Sequence, residues 1–198
     1  MNLSASSSDA VLARAIPYRL RARAVSTATG LTLEIGVGSG LNLAAYPESV
    51  RHLVGLDPSL AALAVMRRRL ESARFQMSAI GGVGETVPIA NNVCDTVVTT
   101  WTLCLVRSTS TVLGEVRRTL KPDGRFLFLE HGESPNRIWK GLQDLATPMT
   151  RRLCGGCRLN RPILSLIEEA GFQIREVQSF SMHRFPLVTA YLGSARLI

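Results

Sequence analysis

The chain has 198 residues, 46% hydrophobic and 19% charged, and its net charge of +8 is carried almost wholly by arginine, since Lys121 and Lys140 are the sole lysines. This size suits one domain with a full core and leaves no room for a second catalytic or RNA-binding module. No apolar run is long enough to cross a bilayer, and residues 1–10 lack the basic-then-apolar order of a signal peptide, so a cytosolic location is expected. The arginines are scattered. The one dense run, Arg67-Arg68-Arg69, falls on a surface helix, so a solvated face is expected rather than a nucleic-acid stripe.

In chain order, residues 1–30 read as a helical cap, with a helix over 9–26 that Pro17 interrupts. Residues 31–35 form a first strand, and a short helix over 41–46 follows the glycine turn. Residues 51–56 form a second strand. Ser59 N-caps a helix over 60–72. A weaker strand spans 74–80, and 96–100 is a β-branched, buried strand. A helix over 111–120 closes at Lys121-Pro122-Asp123-Gly124, a strong turn signal, before a strand over 125–130. The alternation then stops across 131–161. A helix over 162–170 ends at Gly171, and strands over 172–179 and 187–197 complete the chain. Repeated βα units predict an α/β, Rossmann-like, single domain with a mostly parallel sheet and helices on both faces.

There are four cysteines: Cys94, Cys104, Cys154 and Cys157. Without a secretory signal, free thiols are expected rather than a disulfide framework. Cys154-Gly-Gly-Cys157 is a lone pair with no second pair at zinc-site spacing, so no metal is expected.

The most informative stretch is Leu33-Glu34-Ile35-Gly36-Val37-Gly38-Ser39-Gly40. An apolar strand runs into an acid and three glycines spaced two apart, as when a strand turns sharply against a ligand. Asp57 ends the next strand and is placed to accept from both ribose hydroxyls. The glycines are expected to expose N–H groups at a helix start. Dinucleotide sites use G-x-G-x-x-G. Here the pattern is G-x-G-x-G, and Glu34 beside it suits a ligand ammonium and is awkward near a pyrophosphate. These features point to S-adenosylmethionine, which carries an ammonium, a sulfonium and no phosphate.

Over residues 31–171 the chain resembles the class I S-adenosylmethionine-dependent methyltransferases. Residues Leu33 to Gly40 resemble the first motif of that family, and Gly55-Leu56-Asp57-Pro58-Ser59 the second. Gly84-Glu85-Thr86-Val87-Pro88 with Cys94-Asp95-Thr96-Val97-Val98 resembles the adenine-side loop and fourth strand. The resemblance implies a seven-stranded sheet with one antiparallel strand. It also implies that Gly36, Gly38 and Gly40, with Ser39, line the methionine moiety. Asp57 and Pro58 would hold the ribose, Gly84 and Glu85 flank the adenine, and Thr100 and Trp101 border the methyl. Val83 stands where many relatives carry an Asp for the adenine amino group.

Beyond these core motifs, Thr102-Leu103-Cys104-Leu105-Val106, Phe128-Leu129-Glu130-His131 and Gly156-Cys157-Arg158-Leu159-Asn160-Arg161 resemble a narrower family. It is the methyltransferase-like family that includes mammalian thiol S-methyltransferases and bacterial homologues. A weaker similarity links the cofactor half to quinone and phospholipid methyltransferases. The hydrophobic N-terminal membrane segment of the mammalian proteins is not read here, and only weak membrane-surface contact is expected.

The 131–161 insert is expected to cover the substrate. Ile138, Trp139, Leu142, Leu145 and Met149 fall at roughly helical spacing, and an apolar face over the methyl end points to a small lipophilic acceptor. A thiol acceptor needs little base, whereas a phenol, quinol or amine needs more. His131, at a strand's carboxyl end, is the candidate base or orienting group, and bonding the insert to the sheet is its competing role. His52 and His183 are read as structural. Cys104 and Trp139 are candidate substrate contacts. Arg158 and Arg161 either bind an acidic substrate group or pin the insert. Three competing readings are a nicotinamide-dependent oxidoreductase, a nucleic-acid methyltransferase and a non-catalytic cofactor binder. The second lacks an Asn/Asp-Pro-Pro-Tyr/Phe motif.

Overall fold

The computed structural model describes residues 16–69, 75–182 and 185–198. Seven strands form one sheet: β1 (Gly30–Ile35), β2 (Val50–Asp57), β3 (Gln76–Gly81), β4 (Cys94–Thr100), β5 (Leu120–Gly132), β6 (Phe172–Met182) and β7 (Phe185–Leu197). Their order is β3-β2-β1-β4-β5-β7-β6, and β7 runs antiparallel to both of its neighbours. After β1 the chain builds outward through β2 and β3, then returns to place β4 on the other side of β1. The carboxyl ends of β1 and β4 therefore frame a topological switch point, where ligands bind in open α/β sheets. In register, Ile35 lies between Leu56 and Thr99.

Helices cover both faces: α1 (Tyr18–Val25), α2 (Leu60–Arg69), α3 (Thr109–Thr119), α4 (Arg137–Leu153) and α5 (Ile163–Glu169). Local chemistry starts several of them. Ser59 Oγ accepts from Ala62 N at 3.2 Å, Ser108 Oγ from Thr111 N at 3.2 Å, and Asn136 Oδ1 from Ile138 N at 2.9 Å. Each satisfies one N–H that has no partner within its helix. One sheet face packs Leu33, Ile35, Val97, Phe126 and Phe128 against Val112, Val116, Ile163 and Ile167. The other packs Val37, Leu53, Val98 and Leu127 against Leu63 and Met66. Each fully buried side chain of this kind contributes about 1.5–3 kcal/mol.

Several element boundaries differ from the sequence expectation for identifiable reasons. Pro17 is the N-cap of α1, where its fixed φ and missing N–H fit a helix start. The part of that expected helix before residue 16, and the end of the 60–72 helix, lie outside the described residues. The 41–46 helix shrinks to a 3₁₀ turn, Leu43–Ala45. The Lys121-Pro122-Asp123-Gly124 run does not separate helix from strand. It lies inside β5 as an irregularity, where the pairing with β4 shifts between Cys94 and Thr96. His52 Nε2 pairs with Ser78 Oγ at 2.9 Å, a structural role, and His183 lies outside the described residues. Among the described residues, no helix is long and apolar enough to cross a membrane.

Candidate functional site

The glycine turn is built by backbone bonds to β2. The N–H groups of Gly36 and Val37 both donate to Leu56 O, at 2.7 and 3.1 Å. Gly38 N donates to Asp57 Oδ2 at 2.9 Å, and Gly40 N to Val37 O at 3.0 Å. Gly36 has φ +76°, and a Cβ there would lie 2.1 Å from Thr102 Oγ1, so only glycine fits. These bonds correct the expectation of exposed N–H groups. The N–H groups of all three glycines are spent on the protein, and the following 3₁₀ turn is too short to present a helix N-terminus.

Two carboxylates flank this turn. Glu34 is 1% exposed; its Oε1 accepts from Asn42 Nδ2 at 2.6 Å and its Oε2 from Tyr46 Oη at 2.8 Å. Asn42 Nδ2 also reaches Thr100 Oγ1 at 3.0 Å, and Asn42 Oδ1 accepts from Arg21 Nη1 at 3.0 Å. Burial pushes the Glu34 carboxyl up to about 7, against the opposing pull of Tyr46, Asn42 and Arg21. Asp57 accepts from Gly38 N and, through Oδ1, from Ser59 N at 2.8 Å, and burial raises its pKa as well. A cation arriving here would meet two acids, one poised to ionise.

The end of β4 supplies the third side. Trp101 adopts φ +53°, a conformation that costs an L-residue about 1–2 kcal/mol. It is held there by Trp101 N donating to Leu129 O at 2.9 Å. The buried Glu130 accepts from Thr102 N and Leu103 N, and burial raises its carboxyl to about 7. Glu85 Oε1 accepts from Arg107 N at 2.9 Å and Ser108 N at 3.3 Å, tying the loop after β3 to the loop before α3.

These segments enclose a cavity of about 580 Å³. Glu34, Gly36, Gly38, Asp57, Pro58, Gly84, Glu85, Thr100 and Trp101 all line it. The volume falls within the range of small-molecule sites. A larger concavity of about 900 Å³ lies between α1 and β5–β7, edged by Arg23, Arg125, Arg175 and Arg196, and holds none of the motif residues.

Residues 33–128 match the methyltransferase domain family model. The chain is 32% identical over 154 residues to the human protein named thiol S-methyltransferase TMT1A, covering 74% of this chain and 61% of that protein. These matches support a class I S-adenosylmethionine-dependent methyltransferase domain in this chain. The chain thus spans about 61% of the length of that curated relative. The fold matches a putative methyltransferase from Bacillus halodurans with a TM-score of 0.75 at 16% identity, covering 91% of this chain and 98% of that one. It also matches a geranyl diphosphate C-methyltransferase from Streptomyces coelicolor in complex with S-adenosyl-L-homocysteine. That match has a TM-score of 0.70 at 11% identity and covers 91% and 76% of the two chains.

Several of the expected site residues lie elsewhere. Ser39 is buried, and its carbonyl and hydroxyl both accept from Arg69 Nη1, at 2.9 and 3.0 Å. Gly40 has φ +80° and packs against Leu43 and Met66. Both hold the turn to α2 rather than line the cavity. His131 is 1% exposed and stands behind the wall, its ring 4.8 Å from that of Trp101. Its Nε2 lies 3.3 Å from Cys157 Sγ, and its Nδ1, like Trp101 Nε1, is buried without a hydrogen bond. Cys104 is also buried, and its thiol reaches Trp101 O at 3.7 Å. Cys104 and His131 hold the Cys157 thiol down, at about 5, and the Cys104 thiol rises correspondingly. Cys157 thus neighbours Cys104 and His131, while Cys154 is exposed.

The insert differs most from expectation. The residues buried along α4 are Gln143 and Thr147, while Ile138, Leu145, Met149 and Leu153 are 59–79% exposed. Trp139 lies on this outer side, and no α4 residue lines the cavity. Gln143 sets this orientation. Its Nε2 donates to Gly132 O at 3.0 Å and Leu187 O at 2.9 Å, and its Oε1 accepts from Ser134 N at 2.7 Å. Arg161 is buried and pins the insert by donating to Leu103 O at 2.8 Å and to Thr109 and Val106. Arg158 edges a separate basic concavity with Arg107, Arg151 and Arg152.

Sequence reasoning missed Arg21, Asn42 and Tyr46 around Glu34, and Leu105, Val106 and Arg107 on the far wall. Asn42 sits two residues past the last glycine, close enough to fold back on Glu34. That proximity was the available signal.

Proposed function

We propose that this chain binds S-adenosylmethionine in the 580 Å³ cavity and transfers its methyl group to a small lipophilic acceptor, with a thiol favoured. One observation carries the reading. The wall presents the carboxylates of Glu34 and Asp57, while the N–H groups of Gly36, Gly38 and Gly40 are already bonded to Leu56, Asp57 and Val37. That electrostatic set suits an ammonium and a ribose diol and disfavours a dinucleotide.

S-adenosylmethionine supplies an electrophilic methyl on a sulfonium. In this reading Glu34, drawn into its ionised form by the ammonium, anchors the amino-acid end, and Asp57 accepts from the ribose hydroxyls. Val83, Gly84 and Glu85 flank the base, with Val83 contributing only an apolar surface where an acid would accept. Trp101, held at positive φ, sets the wall at the methyl end, with Leu105 and Val106 beside it. The acceptor thiol gives its proton to water. Its sulfur bonds the methyl carbon as the sulfonium S–C bond breaks, leaving S-adenosylhomocysteine. A thiol with pKa ~8.5 is partly thiolate at neutral pH, so alignment supplies much of the acceleration and no base in the cavity is required. The name of the human relative supports the thiol. Four unpaired cysteines suit the reducing interior in which we place the protein.

The test is a methyl-transfer screen over thiols, phenols, quinols and amines, beside a thermal-shift comparison of S-adenosylhomocysteine with NAD and NADP. We expect stabilisation by S-adenosylhomocysteine alone and turnover with lipophilic thiols. Stabilisation by the dinucleotides alone would end the reading, and turnover confined to phenols or amines would move the acceptor.

A further inference from the structure

Behind the Trp101 wall, three segments far apart in sequence bring metal-binding atoms together. Cys104 follows β4, His131 lies on β5 and Cys157 follows α4. Their ligand atoms all fall within 4.8 Å of one another, with His131 Nε2 and Cys157 Sγ 3.3 Å apart. Zinc bonds of about 2.3 Å to sulfur and 2.0–2.1 Å to nitrogen place tetrahedral ligand atoms roughly 3.5–3.8 Å from each other. The His131–Cys157 pair is already close to that spacing, and Cys104 Sγ lies within 4.8 Å of both.

The surrounding backbone fixes it. Arg158 N donates to Cys104 O at 3.2 Å and Thr150 Oγ1 to Cys157 O at 2.9 Å. Arg161 Nη1 donates to Leu103 O beside them. Two thiolates and an imidazole form a donor set that selects zinc over hard cations such as magnesium or calcium.

We propose that Cys104, His131 and Cys157 form a zinc site of this methyltransferase, adjoining the wall at the methyl end of the cavity. Three protein ligands leave a fourth tetrahedral position to water. The pairing is invisible to a Cys-x-x-Cys search, because Cys154 is exposed and takes no part.

The test uses the full chain, reduced with a phosphine and freed of metal with a chelator. It is titrated with zinc against a chromophoric competitor, and separately with cobalt(II). We expect one equivalent of zinc, and a cobalt spectrum with thiolate charge-transfer bands and intense tetrahedral transitions. Cys104→Ser and Cys157→Ser should each weaken zinc on the order of 100-fold or more, the upper end of the loss seen even for outer-shell partners. Cys154→Ser should not weaken it. The wild-type cobalt spectrum stands even if a variant fails to fold. Wild-type protein that takes up no more zinc than the Cys104→Ser/Cys157→Ser double variant would overturn the proposal, as would Cys154→Ser losing zinc as severely as Cys157→Ser.

Discussion

The cofactor end of the sheet and the α4 insert are built on opposite principles. Around β1, β2 and β4, apolar side chains turn inward, and the polar groups that remain buried, such as Glu34 and Asn42, form a network facing the cavity. Along α4, Gln143 and Thr147 turn inward and the apolar residues turn out. An amphipathic period states that a helix has two faces, and here it does not state which one is buried. Three hydrogen bonds from one glutamine to backbone groups decide it, because leaving those groups unpaired costs more than exposing a leucine.

The sharpest break in this comparison is Gly36→Ala. Its positive φ and the Cβ contact with Thr102 should cost about 2–4 kcal/mol in denaturant unfolding and abolish S-adenosylhomocysteine binding. On the insert side, Gln143→Ala leaves Ser134 N, Gly132 O and Leu187 O without their partner, and we expect a loss of about 2–3 kcal/mol with cofactor affinity nearly intact. If Gln143→Ala is instead neutral, the account of the helix orientation is wrong.

A third effect is set by pH. The Glu34 carboxyl is raised from 4.5 to about 7 in the fold, so its contribution to stability is full below pH 4.5 and lost as pH rises through 7. Replacing it by Gln removes that loss, and the stability of Glu34→Gln relative to wild type should climb by about 3 kcal/mol from below pH 4.5 to above 7. A flat difference across that window would show that the Glu34 carboxyl binds its proton equally in the folded and unfolded chain. The smallest effect belongs to α4. Gly141 is helical and exposed with open space around it, so Gly141→Ala should stabilise by about 0.5–1 kcal/mol without touching binding.

Much of the cofactor end was legible because its signals are local. Glu34, Gly36, Gly38 and Asp57 lie within 24 residues of chain, and the strand period and turn chemistry between them leave few geometries open. Gly40 was read as lining the ligand because spacing alone does not separate a turn's inner glycine from its packing glycine. The fate of the turn's N–H groups also escaped, since it depends on where Leu56 and Asp57 fall in register. The union of Cys104, His131 and Cys157 requires β4, β5 and the end of α4 to meet, and no local pattern encodes that. His131 was noticed for its place at a strand end, a correct position that says nothing of the wall standing between it and the cavity.

The account rests on a cavity suited to a cationic amino-acid tail and a ribose. The most direct measurement is calorimetric titration of S-adenosylhomocysteine into wild type, Glu34→Gln and Asp57→Asn from pH 6 to 8.5, with NAD as the control. We predict one site per chain in wild type, with affinity that tightens as pH rises through about 7, where Glu34 ionises. That dependence should vanish in Glu34→Gln. Asp57→Asn should bind roughly 10- to 100-fold more weakly, the cost of losing charged hydrogen bonds, and NAD should not bind. Equal binding by all three proteins at every pH, or tight binding of NAD, would contradict it.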